Sequence, residues 1–141
     1  MAFKHGKATV FKMDNSAGSL TDLSAYMDEV GFPRETEAAE TTTFGKQDKT
    51  YIVGLSDSSF SCSGKADVTC DGVIEGARAA LSAGTIDTVS FEYGPSGSAT
   101  GQPKYSGEAL ITSYEQSSPV GDVVTFSLAL QVTGVVTRGT W

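Results

Sequence analysis

Near the C-terminal end of the chain, Val124, Phe126, Leu128, Leu130 and Val132 alternate with Thr125, Ser127, Ala129, Gln131 and Thr133. A period of two with one apolar face predicts a half-buried strand, because successive side chains of a strand point to opposite faces. The same parity runs through Phe60, Cys62, Ala66, Val68 and Cys70, set against Ser61, Ser63, Lys65, Asp67 and Thr69. It returns briefly in Val89, Phe91 and Tyr93 beside Ser90 and Glu92. Weaker strand patterns cover residues 8–13, 24–30, 35–43 and 105–115. Such apolar faces must cover one another to leave water, which predicts a mainly β fold, an antiparallel β-sandwich or barrel.

One segment departs from period two. Val73, Ile74, Ala77, Ala80 and Leu81 have helical spacing, with Asp71 placed to cap the start and Gly84 to end it in the left-handed conformation. This predicts one flanking α-helix over about residues 72–83, whose apolar stripe reads as core. Residues 14–19 form a short turn. Residues 94–103, rich in Gly, Ser and Pro, make a connection long for a hairpin, which fits a functional loop or a plain surface link. A further polar, Gly-centred excursion comprises Thr41, Thr42, Thr43, Phe44, Gly45, Lys46, Gln47, Asp48, Lys49 and Thr50. It runs into a strand from Tyr51 to Gly64, so a protruding loop is predicted at about 41–50.

A chain of 141 residues with 39% hydrophobic content fits a single domain over 1–141, with residues 1–7 as a flexible N-terminal arm. The N-terminus turns polar before a signal-peptide core could form, and no run of about 18 apolar residues exists to span a bilayer. A chain made and at first kept in the cytoplasm, without a membrane anchor, is the expectation. The net charge of -7, from 17 acidic and 10 basic side chains, opposes nucleic-acid binding by phosphate neutralisation. In one continuous strand Cys62 and Cys70 would lie roughly 26 Å apart, far beyond disulfide reach, unless Gly64 bends it. Two small buried residues in a reducing compartment is the plainer reading.

Catalytic constellations are missing. His5 is the one histidine, the cysteine spacing is not a zinc pattern, and the stretch from Gly94 to Gly101 matches no phosphate-cradling motif. Asp28, Glu29, Glu35, Glu37 and Glu40 cluster in sequence, but with Arg34 beside them they read as a solvated acidic face rather than an acid–base pair. Strand parity puts Glu35 and Glu37 on one side and Glu40 on the other. No enzyme activity, metal or cofactor is expected.

The Thr-rich approach, Gly45 and the charged tip of Lys46, Asp48 and Lys49 resemble the long protruding loop of phage major tail proteins, the subunits of the tail tube. Three more segments look like that family. Ala17 to Val30 with Phe32-Pro-Arg-Glu35 resembles its first strand pair, and Tyr51 to Gly64 the strand leaving its arm. Gly101 to Glu115, Ser118 to Asp122 and Thr133 to Thr140 resemble its C-terminal half. The likeness covers nearly the whole chain, and the order of these segments is more specific than any one of them. It implies a structural virion protein whose copies form six-fold rings stacked into a hollow tail tube for DNA ejection. It also implies partners: copies of itself, a tape-measure protein in the lumen, and tail terminator and distal tail proteins at the ends. Some relatives add an immunoglobulin-like decoration after the tube domain; a tube undecorated by this subunit is the expectation here, and the overall likeness leans to a non-contractile tail.

The loop from Thr41 to Thr50 is then the expected contact between rings. In a ring built from one curved sheet per subunit, alternation turns a polar face to the channel. Thr125, Ser127, Gln131 and Thr133 are the expected lining, with Glu35 and Glu37 supplying a negative field past which DNA slides without specific binding. Two rival readings stand beside this one. The nearer is a tube protein of a bacterial secretion or contractile injection system. The other is a small β-sandwich module binding carbohydrate or protein, for which an exposed aromatic patch is expected, whereas the aromatics here fall mostly on apolar strand faces.

Overall fold

The alternation around Phe126 builds the longest strand of the molecule. In a computed structural model, which describes residues 3–141, the chain forms β1 (Val10–Asp14), β2 (Leu20–Asp22), β3 (Met27–Gly31), β4 (Arg34–Glu40), β5 (Tyr51–Lys65), α1 (Val68–Ala83), β6 (Val89–Gly94), β7 (Pro103–Ser117) and β8 (Thr125–Thr140). Short 3-10 turns occupy Gly6–Ala8 and Ser24–Tyr26. Of the arm expected over 1–7, residues 1 and 2 lie outside the described residues. His5 Nδ1 accepts a hydrogen bond from the Lys7 amide and caps the first turn.

Seven strands pair antiparallel in the order β2-β1-β6-β7-β8-β5-β3, and β4 joins only β5. This single sheet curls into a half-barrel, the barrel side of the expected sandwich or barrel. Its concave face carries Phe11, Met13, Phe60, Val89, Phe91, Phe126, Leu128 and Leu130, all buried, and α1 adds Cys70, Ile74 and Ala77 to the same core. Phe60 is central: its ring stacks on Phe32 at 4.2 Å and meets Phe91 and Phe11 edge-on at 4.8 and 5.2 Å. Pairs of this kind each contribute about 0.5–1.5 kcal/mol beyond simple burial.

The strand expected to continue to Cys70 stops at Lys65, and the helix begins a turn earlier than residue 72. The reason lies at Asp67, whose carboxylate accepts from the Thr69 amide at 2.9 Å and caps α1 in place of Asp71. Cys70 therefore points inward by helical spacing with Ile74 and Ala77, and the apparent period-two run through Val68 is accidental. Asp71 instead accepts from the Tyr114 hydroxyl at 2.8 Å and Gln116 Nε2 at 2.9 Å, fastening the helix to β7. Gly84, at φ 76, ends the helix as expected. Both cysteines are free and buried. The short strand β2 and the turn over Ser24–Tyr26 carried no clear period in the sequence, and the predicted strand at 24–30 reduces to Met27–Gly31.

Two departures from regular pairing shape the sheet. On β8, Gly134 at φ 84 opens a bulge in which Gly107 faces residues 134–136, and the ladder then continues to Pro103↔Thr140. The β5–β8 ladder runs only from Lys65↔Thr125 to Ser59↔Gln131. Beyond Ser59, β5 keeps β4 as its partner and leaves the body of the domain.

Candidate interaction surfaces

Where β5 loses β8, an arm begins. Every residue of β4, from Arg34 to Glu40, and every residue of β5 from Tyr51 to Asp57 is exposed. The arm is therefore a two-stranded ribbon wetted on both faces, with the predicted loop at its tip. Seven residues of β4 carry it roughly 23 Å at about 3.3 Å per residue. At its base the Arg34 guanidinium lies 5.7 Å from the Phe32 ring and 5.9 Å from Tyr105, and the Ser59 amide donates to Pro33 O. Midway, Gly54 and Leu55 bulge opposite Glu37; a Cβ on Gly54 would approach Glu37 Cβ at 3.0 Å.

The loop from Thr41 to Thr50 has a closed neck. The Thr41 amide donates to Thr50 O at 2.8 Å, the two hydroxyls meet at 2.8 Å, and Thr42 Oγ1 accepts from the Thr50 amide at 2.9 Å. Thr43, Phe44, Gly45, Lys46, Gln47, Asp48 and Lys49 form the free tip, with Gly45 at φ 82 and Lys49 4.0 Å from Glu40. Phe44 is fully exposed, and Ile52, Val53 and Leu55 on the ribbon are 60, 79 and 78% exposed. An isolated hairpin is marginal in water, and large apolar side chains exposed on both faces of one mark an interaction surface.

The convex face of the sheet is polar. Ser127 and Thr133 are exposed on it, and Thr125 and Gln131 are half-buried. Glu35 and Glu37 belong to the arm, not to this β8 row. Glu35 pairs with Asp57, whose carboxylate accepts from Gln131 Nε2 at 2.6 Å, so the acidic edge of the arm joins the polar face at that point. Glu37 lies farther out.

Of the carboxylates that the sheet itself places there, sequence reading took Glu29 only as part of a solvated acidic run and missed Glu108 and Glu115. Glu29 is in register with Ser63, Glu108 with Thr133 and Glu115 with Ser127. Glu108 and Glu115 differ by an odd count and would face opposite sides of a regular strand. The β7 register shift between Ile111 and Ser113 turns both to the convex side. Lys65 is paired there with Asp28 at 3.2 Å. The concave side differs altogether: burial raises the Cys62 thiol pKa to about 12, and burial, then Asp67 and Asp71, raise that of Cys70 to about 11. At the open seam between β1 and β3 a cleft of about 520 Å³ is lined by His5, Lys7, Phe11, Ser24, Met27 and Val30 among others.

The family model described as phage tail tube protein matches residues 3–138. No curated protein sequence matches. Several solved structures share the fold. A chain from the tail of an empty gene transfer agent particle, refined with C6 symmetry, superposes with a TM-score of 0.78 at 17% identity, covering 98% of this chain and 100% of the other. The SPP1 tail tube gives 0.74 at 16% identity, covering 99% and 80%. The sheath–tube complex of an extracellular contractile injection system in its extended state gives 0.69 at 9% identity, covering 99% and 93%.

Proposed function

The chain belongs to the phage tail tube protein family, a structural subunit of the virion tail, and on that premise we propose that its copies close into six-fold rings that stack into a DNA-conducting tube. The observation that carries the stacking is the arm, a ribbon with both faces in water whose Phe44, Ile52, Val53 and Leu55 the monomer leaves uncovered. Such a surface is held in solution at a cost and is relieved by a second copy. The loop from Thr41 to Thr50 makes the contact between rings. The C6 symmetry of the gene transfer agent tail supports the ring order.

The convex face lines the channel. Its small hydroxyl side chains offer little to hold a polyanion, and Glu29, Glu108, Glu115 and, from the arm, Glu35 and Glu37 repel phosphate. Lys or Arg in their place would neutralise phosphates and release counterions, which is how a protein binds DNA. The apolar concave face is already occupied by α1, so the convex face is the one free to meet water in a lumen. The subunit performs no catalytic step. A tape-measure protein in the lumen and terminator and distal tail proteins at the two ends complete the partners.

Electron microscopy of the concentrated protein tests the reading, with rings or tubes of uniform diameter expected. Strictly monomeric behaviour in light scattering at high concentration, with no tubes in infected lysates, overturns it.

A further inference from the structure

β5 links two uncovered apolar surfaces at opposite poles of the subunit. One is the arm, with Phe44, Ile52, Val53 and Leu55 in water. The other lies roughly 50 Å along the strand at about 3.3 Å per residue, where its 15 residues end at Lys65. There Val68 at the start of α1, Val120, Val123 and Val124 are 87, 109, 53 and 40% exposed. The pole is held together by pairing: Lys65 stands opposite Thr125, and the Ala66 amide donates to Val124 O at 2.9 Å. Charge differs between the poles as well. At the tip Lys46 and Lys49 stand against Asp48, with Lys49 4.0 Å from Glu40 and Lys46 the cation at its end, whereas the valine pole carries Asp67, Asp71, Glu115 and Asp122 against Lys65, itself paired with Asp28.

Resting on the tube reading, we propose that the arm of one copy docks on the Val68, Val120, Val123 and Val124 pole of a copy in the next ring. The two surfaces are different patches of one chain, so their contact is heterologous and head-to-tail, and repeats along an axis without closing on itself. Phe44 is the anchor that the valines enclose, and Lys46 meets the acidic rim around Asp122. Hydrophobic burial gives the contact its strength, and the opposed charges set its polarity.

The experiment compares three proteins by microscopy and light scattering: the natural chain, a pole variant carrying Val120→Asp and Val123→Asp, and an arm variant with residues 43–49 replaced by a short Gly-Ser turn. Melting curves check that both variants keep the fold. Should the double pole substitution shift the melt, Val120→Asp alone, at a fully exposed position, carries the same test. Each variant alone is expected to form rings with tube yield reduced about tenfold or more, the factor that ~1.4 kcal/mol makes in an equilibrium. Mixed together, they are expected to give short paired rings, because the intact arm of one still finds the intact pole of the other. Normal elongation by the pole variant overturns the docking and leaves the tube reading standing. So does a mixture that gives no paired rings. A natural chain that never forms rings or tubes overturns both.

Discussion

Cys62, in register with Leu128, is buried in the concave core with Phe60, where a charged sulfur would have no solvation. Burial pushes its pKa from an ordinary 9.0 to about 12, and Cys70 follows to about 11. Tyr114 rises from 10.0 to about 12, by burial first and then by its hydrogen bond to Asp71. These groups stay protonated in the fold while the unfolded chain ionises. The stability they protect is thus fully present below pH 9 and is lost as pH rises from about 9 towards 12. Urea unfolding midpoints are expected to hold level from pH 7 to about 8.5 and then fall, with a shallower fall in Cys62→Ala. At neutral pH neither thiol is expected to react with a thiol reagent until the protein is unfolded. Gly64 provides a steric test: a Cβ there would come within 2.0 Å of Tyr26 O, which β3 packing does not let move. Gly64→Ala is expected to destabilise the domain by about 2–4 kcal/mol, read from urea titration.

Among elements, the arm and α1 respond to different forces. The helix depends on its cap and its core stripe, so Asp67→Ala is expected to cost about 1 kcal/mol in unfolding free energy, whereas Asp71→Ala acts through Tyr114 and Gln116. The arm contributes no buried residue to the domain. Shortening residues 43–49 is therefore expected to leave the unfolding free energy within about 0.5 kcal/mol of the natural chain while blocking tube elongation. Normal polymerisation by the shortened protein would show that the loop from Thr41 to Thr50 is not the contact between rings.

For the whole molecule, curvature decides which charges share a field. β3, β5, β7 and β8 bring Glu29 and Glu115 onto the convex face, whereas Glu35 and Glu37 stand on the arm. Replacing Glu29 and Glu115 by Lys is expected to slow DNA ejection, most at low salt, each new phosphate contact steepening the salt dependence by about 0.9. The Glu35 and Glu37 pair replaced by Lys is expected to act in the same direction, more weakly for Glu37. Unchanged ejection from well-formed mutant tubes would show that the convex face does not line the channel.

Local pattern by itself determined the strand cores around Phe60, Phe91 and Phe126, the helix over about 72–83 with its Gly84 cap and the tip at Gly45, because period, cap and turn chemistry act between near neighbours. Parity also placed Thr125, Ser127, Gln131 and Thr133 together on one polar face. What lies beyond near neighbours was decided in three dimensions. Asp67 outcompeted Asp71 as the cap once β5 ended at Lys65, an end governed by its pairing with β8. The register shift in β7 put Glu108 and Glu115 on one side against their odd spacing. Residues 35–43 and Tyr51 to Gly64 read as sheet strands in sequence, and Arg34 to Glu40 and Tyr51 to Asp57 are strands, but they became an arm because the β5–β8 ladder ends at Ser59↔Gln131 and leaves them only each other. Strand propensity resides in each segment; which partner covers it depends on where the curl of the sheet carries its neighbour.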